Sequence, residues 1–373
     1  MLAGTDAAGD RFAAPRSARR CGPNLRHIMS GPDGVLNDDL SPTLPFPIGA
    51  LGFGCAELFR LPSVRARRRV LDAAFEVGIT HFDVAPMYGL GAAEREVGDF
   101  ARTRRDRIVI ATKFGIDVTR AARILGRVQG PVRRVLEARP GLRARARTRA
   151  AGPASGAAGA LLYAPSGYGP AAARASLEHS FRALRADYVD LFLLHDPTVE
   201  RLLVDDVGDY LERAKAEGLI RAWGVAGEPT PALEVAERLA IPPGVLQIRD
   251  DVFVRSLERL PAELAATRIT FGSLGYAVGR IVAYVQRQPA VRERWRSIVR
   301  QDCGDPEVVA ALLLRHARQR NPAGITLFST IHVERLAQAA AAATSASLDH
   351  SLAAFVGLVD AELAGTTPVD VGR

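Results

Sequence analysis

Short apolar runs alternate with stretches of helical periodicity along most of this chain. Apolar runs at 47–54, 79–83, 108–112, 188–194, 220–225, 244–248, 268–272 and 324–328 have almost no polar face. Strands of that kind are buried on both sides, as in a parallel sheet covered by helices. Between them, apolar residues recur at helical spacing, as at Val70, Leu71, Ala74 and Phe75 in 63–77. Further helices are predicted at 91–104, 171–186, 205–217, 231–239, 256–266, 305–319 and 332–344, with an extra one at 347–364. Eight strands, each followed by a helix, favour a closed barrel over an open doubly wound sheet. The predicted fold is therefore α/β, a single-domain (β/α)8 TIM barrel over 45–364.

Two stretches break the rhythm. Residues 116–170 follow the third strand and 273–300 follow the seventh. In a barrel every strand-to-helix loop lies on the face that carries active sites, so both insertions are expected over the site, where long loops are often lids. Residues 1–44 show no periodicity and are expected to form a disordered extension, and 365–373 a loose tail.

Charge alters this picture only locally. The net charge of +8 looks like a nucleic-acid signal, but residues 120–149 hold ten arginines and one acid, Glu137, for +9, which leaves −1 for the rest. That segment has no interleaved aromatics, so no nucleic-acid partner is expected. An anionic substrate meeting Arg133, Arg134, Arg143, Arg145 and Arg147 is the alternative use. Cys21, Cys55 and Cys303 are too few and too widely spaced for a disulfide framework or a zinc site, so no metal is expected. Without an apolar leader or a run of about 20 apolar residues, the expectation is a cytoplasmic protein with no membrane association.

Polar residues at strand ends carry the candidate chemistry. Asp83 ends the second strand, Tyr88 follows in the next loop, Lys113 ends the third strand and His195 ends the fourth. A barrel sets these ends side by side. Taken singly, Asp83 reads as a turn residue, Tyr88 as a loop aromatic and His195 as a core histidine. Lys113 is harder to dismiss: it ends an apolar strand in a chain whose only other lysine is Lys215. Together they suit proton donation to a carbonyl oxygen whose carbon receives hydride. Tyrosine is a weak acid, a lysine ammonium beside it favours the phenolate, and a carboxylate keeps the ammonium charged. A histidine can orient the carbonyl.

The stretch Gly78 to Gly89, the triplet Ala111-Thr112-Lys113 and the segment Asp187 to Pro197 resemble the signature segments of the aldo-keto reductases, closest in style to bacterial aldose dehydrogenase-like members. The resemblance runs from about 46 to 345 outside the two insertions. It implies a (β/α)8 barrel and an NAD(P)(H)-dependent exchange of hydride with an aldehyde, ketone or sugar carbonyl. Tyr88 would be general acid or base, Lys113 and Asp83 would tune it, and His195 would place the substrate. On the cofactor side it implies Gln247 at the carboxamide, Phe271 stacking on the ring, and Gly272, Ser273 and Leu274 in the following loop. Ser329, Thr330 and Arg335 would lie at the adenosine phosphate, which places NADP(H) ahead of NAD(H). The sequence departs from the family at Ala226-Gly227, where a Ser-Asn pair is frequent, at Phe271 for tyrosine, and at Ser329 and Ala339 for lysine and asparagine. No G-x-G-x-x-G follows a strand, so a Rossmann domain is not indicated. The departures keep one alternative open: a catalytically weak nucleotide-binding barrel acting as a sensor or structural subunit.

Overall fold

The computed structural model describes residues 44–46, 49–119, 122, 162–202, 204–261 and 263–363. Eight parallel strands close into a barrel: β1 (Leu51–Gly54), β2 (His81–Asp83), β3 (Val109–Phe114), β6 (Val189–His195), β7 (Ile220–Gly227), β8 (Val245–Arg249), β9 (Thr267–Phe271) and β10 (Ile325–Phe328). β10 pairs back onto β1, with Leu51 opposite Thr326. Two further strands, β4 (Ile116–Val118) and β5 (Tyr163–Pro165), form an antiparallel pair just past β3.

Alternation explains why the strands read as unbroken apolar runs. Inward residues such as Ala111, Leu191, Leu193, Ala222, Ile269 and Leu327 fill the barrel. Their outward neighbours, Ile110, Phe192, Leu194, Trp223, Val225 and Leu246, pack against the helical layer. Leu44 and Phe46 are buried in the interior cluster, and the Arg221 guanidinium sits 4.0 Å from the Phe46 ring centre. A (β/α)8 core therefore has apolar contacts on both faces of each strand.

The surrounding helices are α1 (Val64–Glu76), α2 (Ala93–Ala101), α3 (Pro170–Leu184), α4 (Val204–Ala216), α5 (Pro229–Arg238), α6 (Gly275–Arg287), α7 (Pro289–Val299), α8 (Pro306–Arg320), α9 (Glu334–Thr344) and α10 (Asp349–Leu363). Local chemistry sets several starts. The Ser63 hydroxyl accepts from the Ala66 amide to cap α1, the Asp305 carboxylate accepts from the Glu307 amide to cap α8, and Pro170, Pro229, Pro289 and Pro306 open their helices. Among the described residues no helix is long and apolar enough to cross a membrane.

Two sequence expectations are corrected. The helix expected at 256–266 is only a 3-10 turn, Ser256–Arg259. Asp251 accepts from the amides of Phe253 and Val254, Asp250 accepts from that of Leu257, and Pro261 has no amide to continue a helix. The insertion 273–300, expected as a long loop, is the helix pair α6 and α7. Ala277, Ile281, Val282 and Val285 give α6 an apolar face, and Pro289 breaks the chain into α7. Both join Leu312, Leu352, Phe355 and Val359 in a second apolar cluster outside the barrel, which leaves them poor candidates for a lid. The arginine-rich stretch 120–149 apart from Ala122, residues 1–43 and the tail 365–373 lie outside the described residues.

Candidate active site

The C-terminal ends of β2, β3 and β6 bring Asp83, Lys113 and His195 to one rim. Lys113 Nζ donates to Asp83 Oδ1 at 2.6 Å and to the Val84 carbonyl at 3.2 Å. Both side chains are buried, Lys113 at 1% and Asp83 at 3% exposure. Lys113 Nζ lies 5.1 Å from the centre of the Tyr88 ring, and the Tyr88 and His195 rings meet edge to face with centroids 6.1 Å apart. The four residues singled out in the sequence are thus neighbours, although Tyr88 comes from the turn after β2.

Electrostatics divide their roles. Burial alone would lower the Lys113 pKa, but Asp83 and Tyr88 more than offset it, and the ammonium is held above its ordinary range. Burial pushes the Tyr88 phenol up, and the Lys113 charge recovers only part of that. The expectation of a lowered tyrosine pKa is therefore reversed: desolvation of the phenolate outweighs an ammonium already neutralised by Asp83. Tyr88 is a protonated phenol at neutral pH. Burial and then Lys113 pull His195 down to about 3, so its imidazole is neutral. Among the described residues its Nδ1 is buried without a partner, as are both ring nitrogens of His81 one inward position below Asp83 on β2.

One positioning residue escaped the sequence reading. Tyr168, in the loop between β5 and α3, is buried and its hydroxyl donates to the carbonyls of His195 (2.7 Å) and Asp196 (3.0 Å). Its ring lies over Gly115, where a Cβ would come 2.0 Å from Tyr168 Cε1 and where φ is +112°. Glycine satisfies both the left-handed backbone and the close approach. The Gly115 and Gly167-Tyr168-Gly169 positions carried the signal, but only the fold pairs them.

Residues that could hold a dinucleotide line the opposite arc of the rim. Gln247 on β8 is buried, and its side-chain oxygen has no partner among the described residues. The Ser273 hydroxyl is likewise buried and unpartnered among the described residues, just before the N-terminus of α6. An orphaned amide oxygen suits a carboxamide N–H, and an orphaned hydroxyl beside free helix amides suits a phosphate. Phe271, at the end of β9, packs against the interior cluster and can offer a ring face. Gly272 follows with φ +85°, and Leu274 bridges the two apolar clusters. Around β10, the Ser329 hydroxyl donates to the Gly54 carbonyl and Thr330 Oγ1 accepts from the His332 amide. Arg335 is exposed in the first turn of α9. The residues present fit a nicotinamide dinucleotide.

The aldo/keto reductase family model matches residues 50–264, more than half of the chain, which belongs to that family. D-threo-aldose 1-dehydrogenase from a Pseudomonas species is 32% identical over 207 residues, covering 52% of this chain and 54% of that protein. Pyridoxal 4-dehydrogenase of Microbacterium luteolum is 45% identical over 83 residues, 21% of this chain and 24% of its own. The chain spans about half the length of the first of these curated relatives, and less of the second. Among solved structures, a glycerol dehydrogenase from Gluconobacter oxydans superposes with a TM-score of 0.61 at 17% identity, covering 89% of this chain and 97% of that one. A Klebsiella pneumoniae aldo-keto reductase in complex with NADPH gives 0.53 at 22% identity, covering 81% and 86%. At these identities the structural likeness establishes the (β/α)8 fold.

Proposed function

We propose that this chain is an NAD(P)(H)-dependent oxidoreductase exchanging hydride with an aldehyde, ketone or sugar carbonyl, with Tyr88 as the proton donor in reduction and the acceptor in oxidation. The observation that carries this reading is the buried Lys113–Asp83 ion pair beside Tyr88 and His195 at the catalytic rim. Bound nicotinamide supplies the hydride or takes it up. As charge grows on the carbonyl oxygen, Tyr88 gives it the phenol proton. Lys113 steadies the resulting phenolate, and Asp83 keeps Lys113 charged and in place. Neutral His195 orients the oxygen by hydrogen bonding, a role that requires no proton transfer from the imidazole.

Gln247, Phe271, Gly272, Ser273 and Leu274 would hold the nicotinamide and phosphate side. Thr330, Ser329 and Arg335 would hold the adenosine phosphate, with NADP(H) favoured because Arg335 is an exposed guanidinium able to grip a 2′-phosphate bidentately. A relative named for NADP(+) and a neighbour solved with NADPH support this preference. The relative named D-threo-aldose 1-dehydrogenase supports sugar-like substrates and keeps the oxidative direction open. The test is Tyr88→Phe, which removes one hydroxyl. It is expected to bind nucleotide as the parent does and to lose carbonyl reduction by a factor of about 10² or more. Retained turnover would take Tyr88 out of this role.

A further inference from the structure

We infer that Asp196 selects carbonyl substrates that carry a hydroxyl on the carbon beside the reacting one; the inference rests on the oxidoreductase reading above. Asp196 follows His195 directly, and its backbone is pinned on both sides. Its amide donates to the Ala226 carbonyl at 2.7 Å, and its own carbonyl accepts from the Tyr168 hydroxyl at 3.0 Å. It adopts φ +47°, a left-handed conformation that is uncommon outside glycine and that aspartate tolerates better than most residues. That turn places the carboxylate on the side of the site: Oδ2 lies 3.9 Å from His195 Nε2.

Room for this side chain comes from the neighbouring strand. A Cβ at Gly227 would lie 3.0 Å from Asp196 Oδ1 and 3.3 Å from its Cα, so a larger residue at 227 would crowd the carboxylate. The Asp196 side chain remains 55% exposed and, among the described residues, forms no ion pair with a lysine or arginine; the neutral His195 ring lies 3.9 Å away. Burial and then Glu228 raise its pKa, and the Lys113 charge offsets only part of that.

The ligand class follows from these distances. If His195 Nε2 holds the reacting oxygen, a carboxylate oxygen 3.9 Å away can reach only substituents close to that oxygen. A carboxylate only accepts, so the substituent must donate. A cation is the poorer candidate, because the same rim carries the Lys113 ammonium and the Arg249 guanidinium, the latter 3.7 Å from Asp251 and 3.9 Å from Glu228. A neutral hydroxyl meets no such repulsion.

Lactaldehyde and propanal differ by that one hydroxyl and provide the test. Initial rates with each, at saturating NADPH or NADH, are compared for the parent, Asp196→Asn and Asp196→Gly. Both replacements accept a left-handed backbone, so the fold is preserved, and a thermal melt checks it. The parent is expected to favour lactaldehyde. The lactaldehyde-to-propanal ratio of kcat/KM should fall about 10- to 100-fold in Asp196→Gly and less in Asp196→Asn, mostly through KM for lactaldehyde. A parent that reduces both aldehydes equally, or a ratio unchanged in the folded variants, would overturn the assignment of Asp196 while leaving the oxidoreductase reading intact. A folded parent that binds nucleotide yet reduces neither these nor any other aldehyde would overturn both.

Discussion

Replacing Asp83 with asparagine isolates the buried ion pair at the centre of the site. The change keeps the shape and removes the charge that Lys113 meets at 2.6 Å, leaving the ammonium with the Val84 carbonyl at 3.2 Å. Removing one partner of a buried pair costs about 3–5 kcal/mol, because an unpaired charge stays in a poorly solvated place. Urea unfolding at pH 7 should show a loss of that size. Lys113→Met in the same background should recover most of it, since an apolar side chain of similar length needs no counter-ion. The pH dependence should also change sign. In the parent the folded-state pKa of Lys113 is raised, so its contribution is fully present below the unfolded value near 10.4 and is lost as pH climbs through the folded value. In Asp83→Asn burial acts without its counterweight and lowers that pKa, so stability should rise with pH up to the unfolded value. A loss below about 1 kcal/mol with no change in the pH profile would show that the Lys113–Asp83 pair does not carry this stability.

Two further outcomes follow from the same electrostatics. His81 is held down at about 4 and His195 at about 3, both by burial first, so in the folded protein they stay neutral while the unfolded chain takes up protons below about 6.5. Stability contributed by the two should be intact above that pH and fall by up to about 3 kcal/mol per pH unit between 6.5 and 4, read as urea midpoints at pH 7, 6 and 5; a flat profile would contradict it. Because the Tyr88 pKa is raised above 10, reduction should be insensitive to this group from pH 6 to 9, while oxidation, which needs the phenolate, should still be rising at pH 10; an oxidative rate that levels off near pH 8 would contradict the burial argument.

Much of the barrel was legible because each strand is buried on both faces and each helix presents one apolar stripe. The helix expected at 256–266 failed because Asp250, Asp251 and Pro261 form competing local structure that hydrophobic spacing does not reveal. Helices α6 and α7 were overlooked because their apolar face packs on α8 and α10 rather than on the barrel, so they fit no strand-helix count. At the site, Asp83, Lys113 and His195 were readable as polar ends of apolar strands. The Tyr168 clamp was not, since it joins a loop to residues 27 and 28 positions further on. The side-chain direction of Asp196 depends on a left-handed turn and on free space at Gly227, and both are tertiary facts. The sign of the Tyr88 shift was misread for the same reason: a sequence shows the neighbouring lysine but not how much water the fold removes.

A nicotinamide-dependent oxidoreductase must bind its nucleotide, so the decisive experiment titrates the folded protein with NADPH and with NADH and follows nicotinamide fluorescence. Both nucleotides should bind saturably, with NADPH tighter by at least about tenfold if Arg335 grips the 2′-phosphate. No saturable binding of either nucleotide would contradict it, leaving a family barrel whose Ala226-Gly227 substitution had removed the cofactor site.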